Sequence, residues 1–335
     1  MVGELNLILS KMFKKEIINA NYHAKQLQGG TLGDVKLISG DAETSAGERL
    51  QYKLVFKTQN KWDRYGDTGS WRREYDLYMS DLGVLFTDML RWPECYGAEI
   101  YSDKIQIWME YADGVSGDNL TVDILERAAK ELGRFQGRVY IYTRGPATLK
   151  RISNLGPVDF MEADYSQWKP ETDEYRFIRS DDCPISFHLR KMLIDMDTNA
   201  KAILTKIRKL PIILCQRDFW VGNIIYSNKA IFLIDWDTAG LGYLGEDIAQ
   251  LIIDETNPEY QLEYYCKLIP SYYEGISEYL DISAINEHCI HEMILIKEGY
   301  RLIHRYMFGE SNNVKNLSIR TLQKIYEMKD INRSQ

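Results

Sequence analysis

Cysteine is scarce. Five occur in 335 residues, at Cys95, Cys183, Cys215, Cys266 and Cys289, and no two stand at metal-binding or redox spacing. An odd, dispersed count argues against a disulfide-stapled scaffold and fits buried thiols in a reducing compartment. Long apolar runs are missing as well: none approaches the roughly 18 residues that a spanning helix needs. Near the N-terminus, Leu5, Ile8, Leu9, Met12 and Phe13 fall at helical spacing behind an early Glu4, not in a continuous signal-peptide core. A cytoplasmic chain with no membrane partner is expected. Basic charge is not in excess, since 41 Lys and Arg face 49 Asp and Glu for a net charge of −8. Phosphate-backbone binding needs a positive field, so the balance argues against nucleic acid as the main partner and suits a cationic small molecule better. Repeats, low-complexity tracts and Pro- or Ser-rich linkers are absent, and nothing in the composition marks an oligomer. With 45% hydrophobic and 27% charged residues the chain has the balance of a folded protein, long enough for two domains or one two-lobed domain.

Two kinds of periodicity divide the chain. From about 22 to 110, short alternating segments broken by Gly, Asp and Asn predict antiparallel strands at 22–28, 35–39 and 51–58, and a hairpin over 98–111 that turns at Ser102-Asp103. One helix, over 70–82, interrupts them. After Val122 the apolar period becomes three and four, as in Leu125, Ala128, Ala129, Leu132 and Phe135, and again from Leu189 to Ile207. Within that helical half, apolar runs at 211–214, 223–226 and 230–235 predict strands, the last two joined by the turn sequence Tyr226-Ser227-Asn228-Lys229. The boundary between the halves is expected at Ala112-Asp113-Gly114, giving domains of 1–111 and 112–335.

The densest polar constellation is Cys215-Gln216-Arg217-Asp218-Phe219-Trp220-Val221-Gly222-Asn223, followed by Ile234-Asp235-Trp236-Asp237. Phosphoryl transfer needs magnesium held by oxygen ligands against nucleotide phosphates, and a carboxylate that orients and deprotonates the incoming hydroxyl. An Asp five residues before an Asn puts both on one loop, and the hairpin then returns a second Asp. The same acids could instead be ordinary turn and cap residues at strand ends.

On these residues the chain resembles the aminoglycoside phosphotransferase and choline kinase-like family, whose catalytic loop reads H-G-D-F-x-P-G-N-I-L with I-D-W-D a hairpin later. Gln216, Arg217 and Val221 depart from its His, Gly and Pro. The resemblance implies an α+β, bilobal protein-kinase-like fold: an antiparallel-sheet lobe that binds nucleotide and a larger, mainly helical lobe for catalysis and the acceptor. It implies ATP and Mg2+ as cofactors, Asp218 as the base, Asn223 and Asp235 as metal ligands, and Asp237 near the metal or acceptor. Asp247, in Gly245-Glu246-Asp247-Ile248-Ala249, matches the D-x-A segment that braces the loop.

The first half supplies the remaining parts the family requires. The glycine turn containing Gly30 and Thr31 would sit over phosphates. Lys57, on a strand whose Leu54 and Phe56 face the other way, would meet the α and β phosphates with Glu74 holding it, and Lys53 is the substitute if the register differs. Adenine would meet the main chain at Glu110 and Ala112, in Met109-Glu110-Tyr111-Ala112-Asp113-Gly114. Leu132-Gly133-Arg134-Phe135-Gln136 resembles the family's L-x-x-L-H helix with Gln in place of His. Asp254, Glu255 and Glu259 lie where relatives place cation-binding acids. His288 and His291 read as a polar helix face.

The expected function is ATP- and magnesium-dependent phosphorylation of a small-molecule hydroxyl, with motifs like those of antibiotic-resistance enzymes. Choline, homoserine, thio-sugar and macrolide kinases carry nearly the same motifs. A second class is a pseudokinase-like binding protein, supported by Gln216 and Gln136. A third takes Asp235-Trp236-Asp237 as the metal motif of a glycosyltransferase, against which the antiparallel first half argues.

Overall fold

The computed structural model describes residues 2–27, 33–62, 67–143, 155, 159–282 and 288–331. The chain divides into two compact units, the first built mainly from Met1–Val115 and Ile225–Thr238, the second from the rest. In the first, β1 (Ile17–Ala20), β2 (His23–Gln26), β3 (Gly33–Thr44), β4 (Arg49–Asn60), β6 (Cys95–Ile100) and β7 (Lys104–Glu110) form one antiparallel sheet in the order β1-β3-β4-β7-β6, with β2 also on β3. β3 and β4 pair along their whole length, beyond the sequence expectation, because Gly47 at φ 79 closes their turn and Asp41, Glu43 and Arg49 continue the ladder despite their polarity.

The strand alternation decides what each face of the sheet meets. Leu54 and Phe56 of β4 pack with Ile38, Tyr52 and Trp108 against Leu5, Ile8 and Leu9 of helix α1 (Val2–Phe13). Val55 joins Ile105, Ile107 and Met109 on the opposite face, under Trp71. Lys57 has the parity of Val55 and therefore belongs to that second face. There the expected helix over 70–82 is a 3-10 turn (Ser70–Arg72) and a six-residue helix α2 (Arg73–Tyr78). Ser80 ends it early by donating its hydroxyl to the carbonyl of Leu77 at 2.6 Å. A smaller sheet runs β5-β10-β9, from β5 (Leu90–Arg91), β9 (Ile224–Ser227) and β10 (Ala230–Leu233). Asn228 and Lys229 sit at φ 48 and 67, the left-handed pair that a two-residue hairpin turn demands.

The second unit is mainly helical. Its helices are α3 (Val122–Thr143), α4 (Phe160–Ser166), α5 (Asp173–Phe177), α6 (Phe187–Ile207), α7 (Glu246–Ile253), α8 (Pro258–Ser277), α9 (His288–Phe308) and α10 (Asn312–Ile331). The antiparallel pair β8 (Ile212–Cys215) and β11 (Gly240–Tyr243) lies among them. The α3 stripe Leu125, Ala128, Ala129, Leu132, Phe135 and Val139 is buried, as its spacing requires. α3 and α8 approach closely at two glycines, where an added Cβ on Gly133 would come within 2.3 Å of the Tyr272 carbonyl and one on Gly275 within 1.9 Å of the Lys130 carbonyl. Among the described residues no helix is long and apolar enough to cross a membrane.

Alanine normally gains about 1 kcal/mol over glycine inside a helix. At Gly275 the backbone contact reverses that sign: Gly275→Ala should destabilise the protein by about 1–3 kcal/mol, read as a lower urea midpoint with an unchanged slope.

Candidate active site

The first unit concentrates charge at one buried point. Lys57 of β4 is 8% exposed, and its Nζ donates to Glu74 Oε2 of α2 at 2.6 Å and to Asp235 Oδ1 at 2.6 Å. Burial alone would lower the ammonium's pKa, but Asp235, Glu74 and Asp237 outweigh it and hold Lys57 above the usual lysine range. Burial pushes the Glu74 carboxyl up, against the pull of Lys57 and of the Trp236 amide that donates to it. Lys53 is exposed and pairs instead with Asp113, at 2.9 Å. Asp235 sits at φ 60, in the left-handed region that costs a non-glycine residue about 1 kcal/mol or more. What holds it there is its neighbour: the Trp236 ring, 1% exposed, packs edge-on against Phe86 and Trp92 at 5.9 and 5.7 Å, with its Nε1 donating to the Leu233 carbonyl. Asp237 accepts from Gln59 Nε2 at 3.1 Å. Gln59 escaped the sequence reading, although it stands two residues past Lys57 on the same strand face.

Other expected positions fall as follows. Glu110, at the end of β7, takes Arg91 in a two-pronged pair at 2.6 and 2.8 Å, and its amide donates to the Glu94 carbonyl at 2.8 Å. The Arg91 guanidinium also lies 4.2 Å over the Phe232 ring. Ala112 follows β7 in an irregular segment. Gly30 and Thr31 lie outside the described residues. Among the described residues no three His, Cys, Asp or Glu side chains gather tightly enough to hold a metal. The His291 ring bonds to the Ile325 carbonyl.

The second unit carries the other polar loop. Asn223 ends a 3-10 turn (Val221–Asn223) and directs Nδ2 back onto Asp218, 2.9 Å from its carbonyl and 2.7 Å from Oδ2. Gly222 lies directly under the Trp220 ring, 2.3 Å from where a Cβ would stand, so the turn closes only with glycine. Arg217 adopts φ 64, which explains why a glycine suits this position in the family loop. Here the strain is offset by fixed partners. The amides of Gln216 and Arg217 both donate to the Asp247 carboxylate at 2.9 Å, while the Arg217 guanidinium lies 4.8 Å from the Phe160 ring and donates to the Leu241 carbonyl. Its Nε stands 3.9 Å from Glu246. Burial pushes Asp247 up, and those two backbone amides pull it down. Gln216 Oε1 accepts the Asp218 amide at 3.1 Å. The acids beyond α7 are engaged: Asp254 accepts from Gln250, Glu255 pairs with Arg305 and Glu259 with Arg320.

A strand lysine clamped by a helix glutamate, in an antiparallel sheet joined to a helical unit that carries an Asp–Asn loop, defines the α+β protein-kinase-like fold. Solved structures with this fold include choline kinase from Cryptosporidium parvum Iowa II, at 14% identity, TM-score 0.57 and coverage of 98% of this chain and 96% of that one. The microcompartment-associated aminopropanol kinase is similar at 14% identity and TM-score 0.56, with the same coverages of 98% and 96%. The amicoumacin kinase hAmiN follows at 12% identity and TM-score 0.53, covering 91% of this chain and 88% of that one. Compared by sequence with the curated proteins, the chain has no match. The model of the phosphotransferase enzyme family matches residues 82–276, more than half of the chain. The protein belongs to that family, and it is a phosphotransferase acting on hydroxyl acceptors.

Removing the ammonium should expose how much the carboxylates depend on it. Lys57→Met leaves Glu74 buried without its counter-charge, at a cost of about 3–5 kcal/mol. A carboxyl whose folded pKa lies above its unfolded value favours the folded state only while protonated, so stability falls as pH rises through the folded value. Urea unfolding should therefore find the variant more stable at about pH 5 than at about pH 8, with a larger difference than the wild type shows.

Proposed function

We propose that this phosphotransferase is an ATP- and magnesium-dependent small-molecule kinase of the cytoplasm. The observation that carries the reading is the Lys57–Glu74–Asp235 cluster: a buried ammonium fixed between two carboxylates is a charge prepared for anionic oxygens. Residues 1–111 form the nucleotide-binding part and 112–335 the catalytic and acceptor part. Gly30 and Thr31 cover the phosphates. Adenine takes the main chain at Ala112 and the carbonyl side of Glu110, since the Glu110 amide already serves Glu94. Support for the cofactor comes from amicoumacin kinase, solved with AMP-PNP and Ca2+, and from aminoglycoside phosphotransferase APH(4)-Ia, solved with AMP-PNP and hygromycin B.

The donor set fits a hard cation. Asn223 spends its Nδ2 on Asp218, which leaves the amide oxygen as the coordinating atom, and Asp235 has a second carboxylate oxygen beside the one bonded to Lys57. Magnesium, held by Asn223 and Asp235, would neutralise charge on the transferred group. Asp218, oriented by Asn223 and by the loop behind it, takes the proton of the acceptor hydroxyl. Lys57 turns from Asp235 toward the α and β phosphates while Glu74 retains it. Asp237, tethered by Gln59, lies toward the metal or acceptor. Rate enhancement then comes from alignment and fixed charge, with no covalent intermediate.

The acceptor is a small molecule bearing a hydroxyl. Because Glu255 and Glu259 are engaged by the chain's own arginines, the reading favours an acceptor of low positive charge over a polycationic antibiotic. Choline-, homoserine- or sugar-like compounds remain the first to test.

ATP consumption with magnesium, measured against a panel of amines, sugars and antibiotics, decides between this reading and a binding protein without turnover. Asp218→Asn should lower kcat by about 10²–10⁴-fold with nucleotide affinity retained, and Asp235→Ala should lose magnesium-dependent nucleotide binding. An Asp235→Ala variant with full turnover would sink the assignment.

A further inference from the structure

Gln136, on α3, is 1% exposed and bonded on both sides. Its Nε2 donates to Asp247 Oδ2 at 2.9 Å and to the Leu214 carbonyl of β8 at 3.2 Å, and its Oε1 accepts the Tyr272 hydroxyl of α8 at 2.7 Å. Asp247, at the start of α7, turns the same carboxylate onto the amides of Gln216 and Arg217, and Gln216 passes the constraint on to the Asp218 amide. One side chain thus ties α3, α7, α8 and β8 to the two residues ahead of Asp218.

We infer that Gln136 is a positioning residue for phosphoryl transfer, holding Asp218 in register through Asp247 with an amide that has no proton to gain or lose. The inference rests on the kinase reading above. The Asp247 carboxylate has four lone-pair directions, and two of them are committed to the loop. Without a donor from behind, the carboxylate could rotate, and the left-handed conformation of Arg217 would lose the anchor that offsets its strain. An amide supplies that donor at every pH at which the protein is folded. A histidine, which the related loop sequences place here, would supply it through a ring that titrates between about pH 5 and 8. The titratable and charged groups around Gln136 and Asp247 are Cys215 from β8, Arg217 from the loop, Glu246 from α7, Tyr272 and Tyr273 from α8, and Lys297 from α9. Burial pushes Cys215 and Tyr272 well above their usual ranges, so both stay neutral across that window.

The test uses the full chain, with magnesium–ATP as substrate and water as acceptor. Gln136→Leu keeps the volume and loses every bond. It should lower kcat by about 10- to 100-fold while KM for magnesium–ATP stays within about twofold. Gln136→His should recover most of that kcat and add a step to its pH profile between about pH 5 and 8, where the wild type has none. A folded Gln136→Leu with wild-type kcat overturns the inference. So does a parallel loss of kcat and thermal stability that Gln136→His fails to rescue, which would mark a merely structural residue. Should Gln136→Leu not fold, Tyr272→Phe removes only the hydroxyl that orients the amide; a lower kcat at unchanged KM supports the inference and an unchanged kcat overturns it. Wild-type protein that turns over no magnesium–ATP overturns the kinase reading itself and this inference with it, a result distinct from a variant that equals an active wild type.

Discussion

A single ammonium group, taken out of water and held between two carboxylates, is the constraint on which the first unit depends. Burying a lysine is costly unless the opposite charge is at hand. Here Glu74 and Asp235 both supply it at hydrogen-bond distance. The arrangement fixes three separate pieces of chain at once: the face of β4, the start of α2, and the segment after β10. None of the three could shift by a residue without leaving a charge unpaired in the interior.

The second unit solves a different problem by similar means. The loop before Asp218 must turn through a left-handed residue, and the chain spends an arginine there instead of a glycine. Backbone strain of that kind persists only where surroundings over-determine it. Asp247 does so from one side through two amides, and Glu246, Phe160 and the Leu241 carbonyl receive the guanidinium on the other. The result is a loop set by contacts from four helices and a strand pair, not by its own sequence.

Much of this was legible in the residues. Alternation in Leu54-Val55-Phe56-Lys57 gave the correct face for Lys57, because period two is a local property. Asn228-Lys229 was readable as a turn for the same reason, and the Asp218, Asn223 and Asp235 pattern was readable because motif spacing survives great sequence divergence. The antiparallel first half and helical second half likewise follow from a change of period. Less was legible where partners are distant in sequence. The α2 helix is shorter than its pattern of aromatics suggested, since Ser80 competes for its backbone. The full length of β3 and β4 was hidden by polar residues that pair through their main chain. Gln59 meeting Asp237 and Glu110 meeting Arg91 depend on register and packing that no local pattern encodes.

The packing of Trp236 also has an optical side. An indole shut away from solvent, edge-on to a second indole and one peptide bond from Asp235, sits where any rearrangement of that carboxylate alters the ring's surroundings. The chain therefore carries a native fluorophore beside its most charged buried contact. Occupancy there can be followed by emission wavelength and intensity, without a dye or a label.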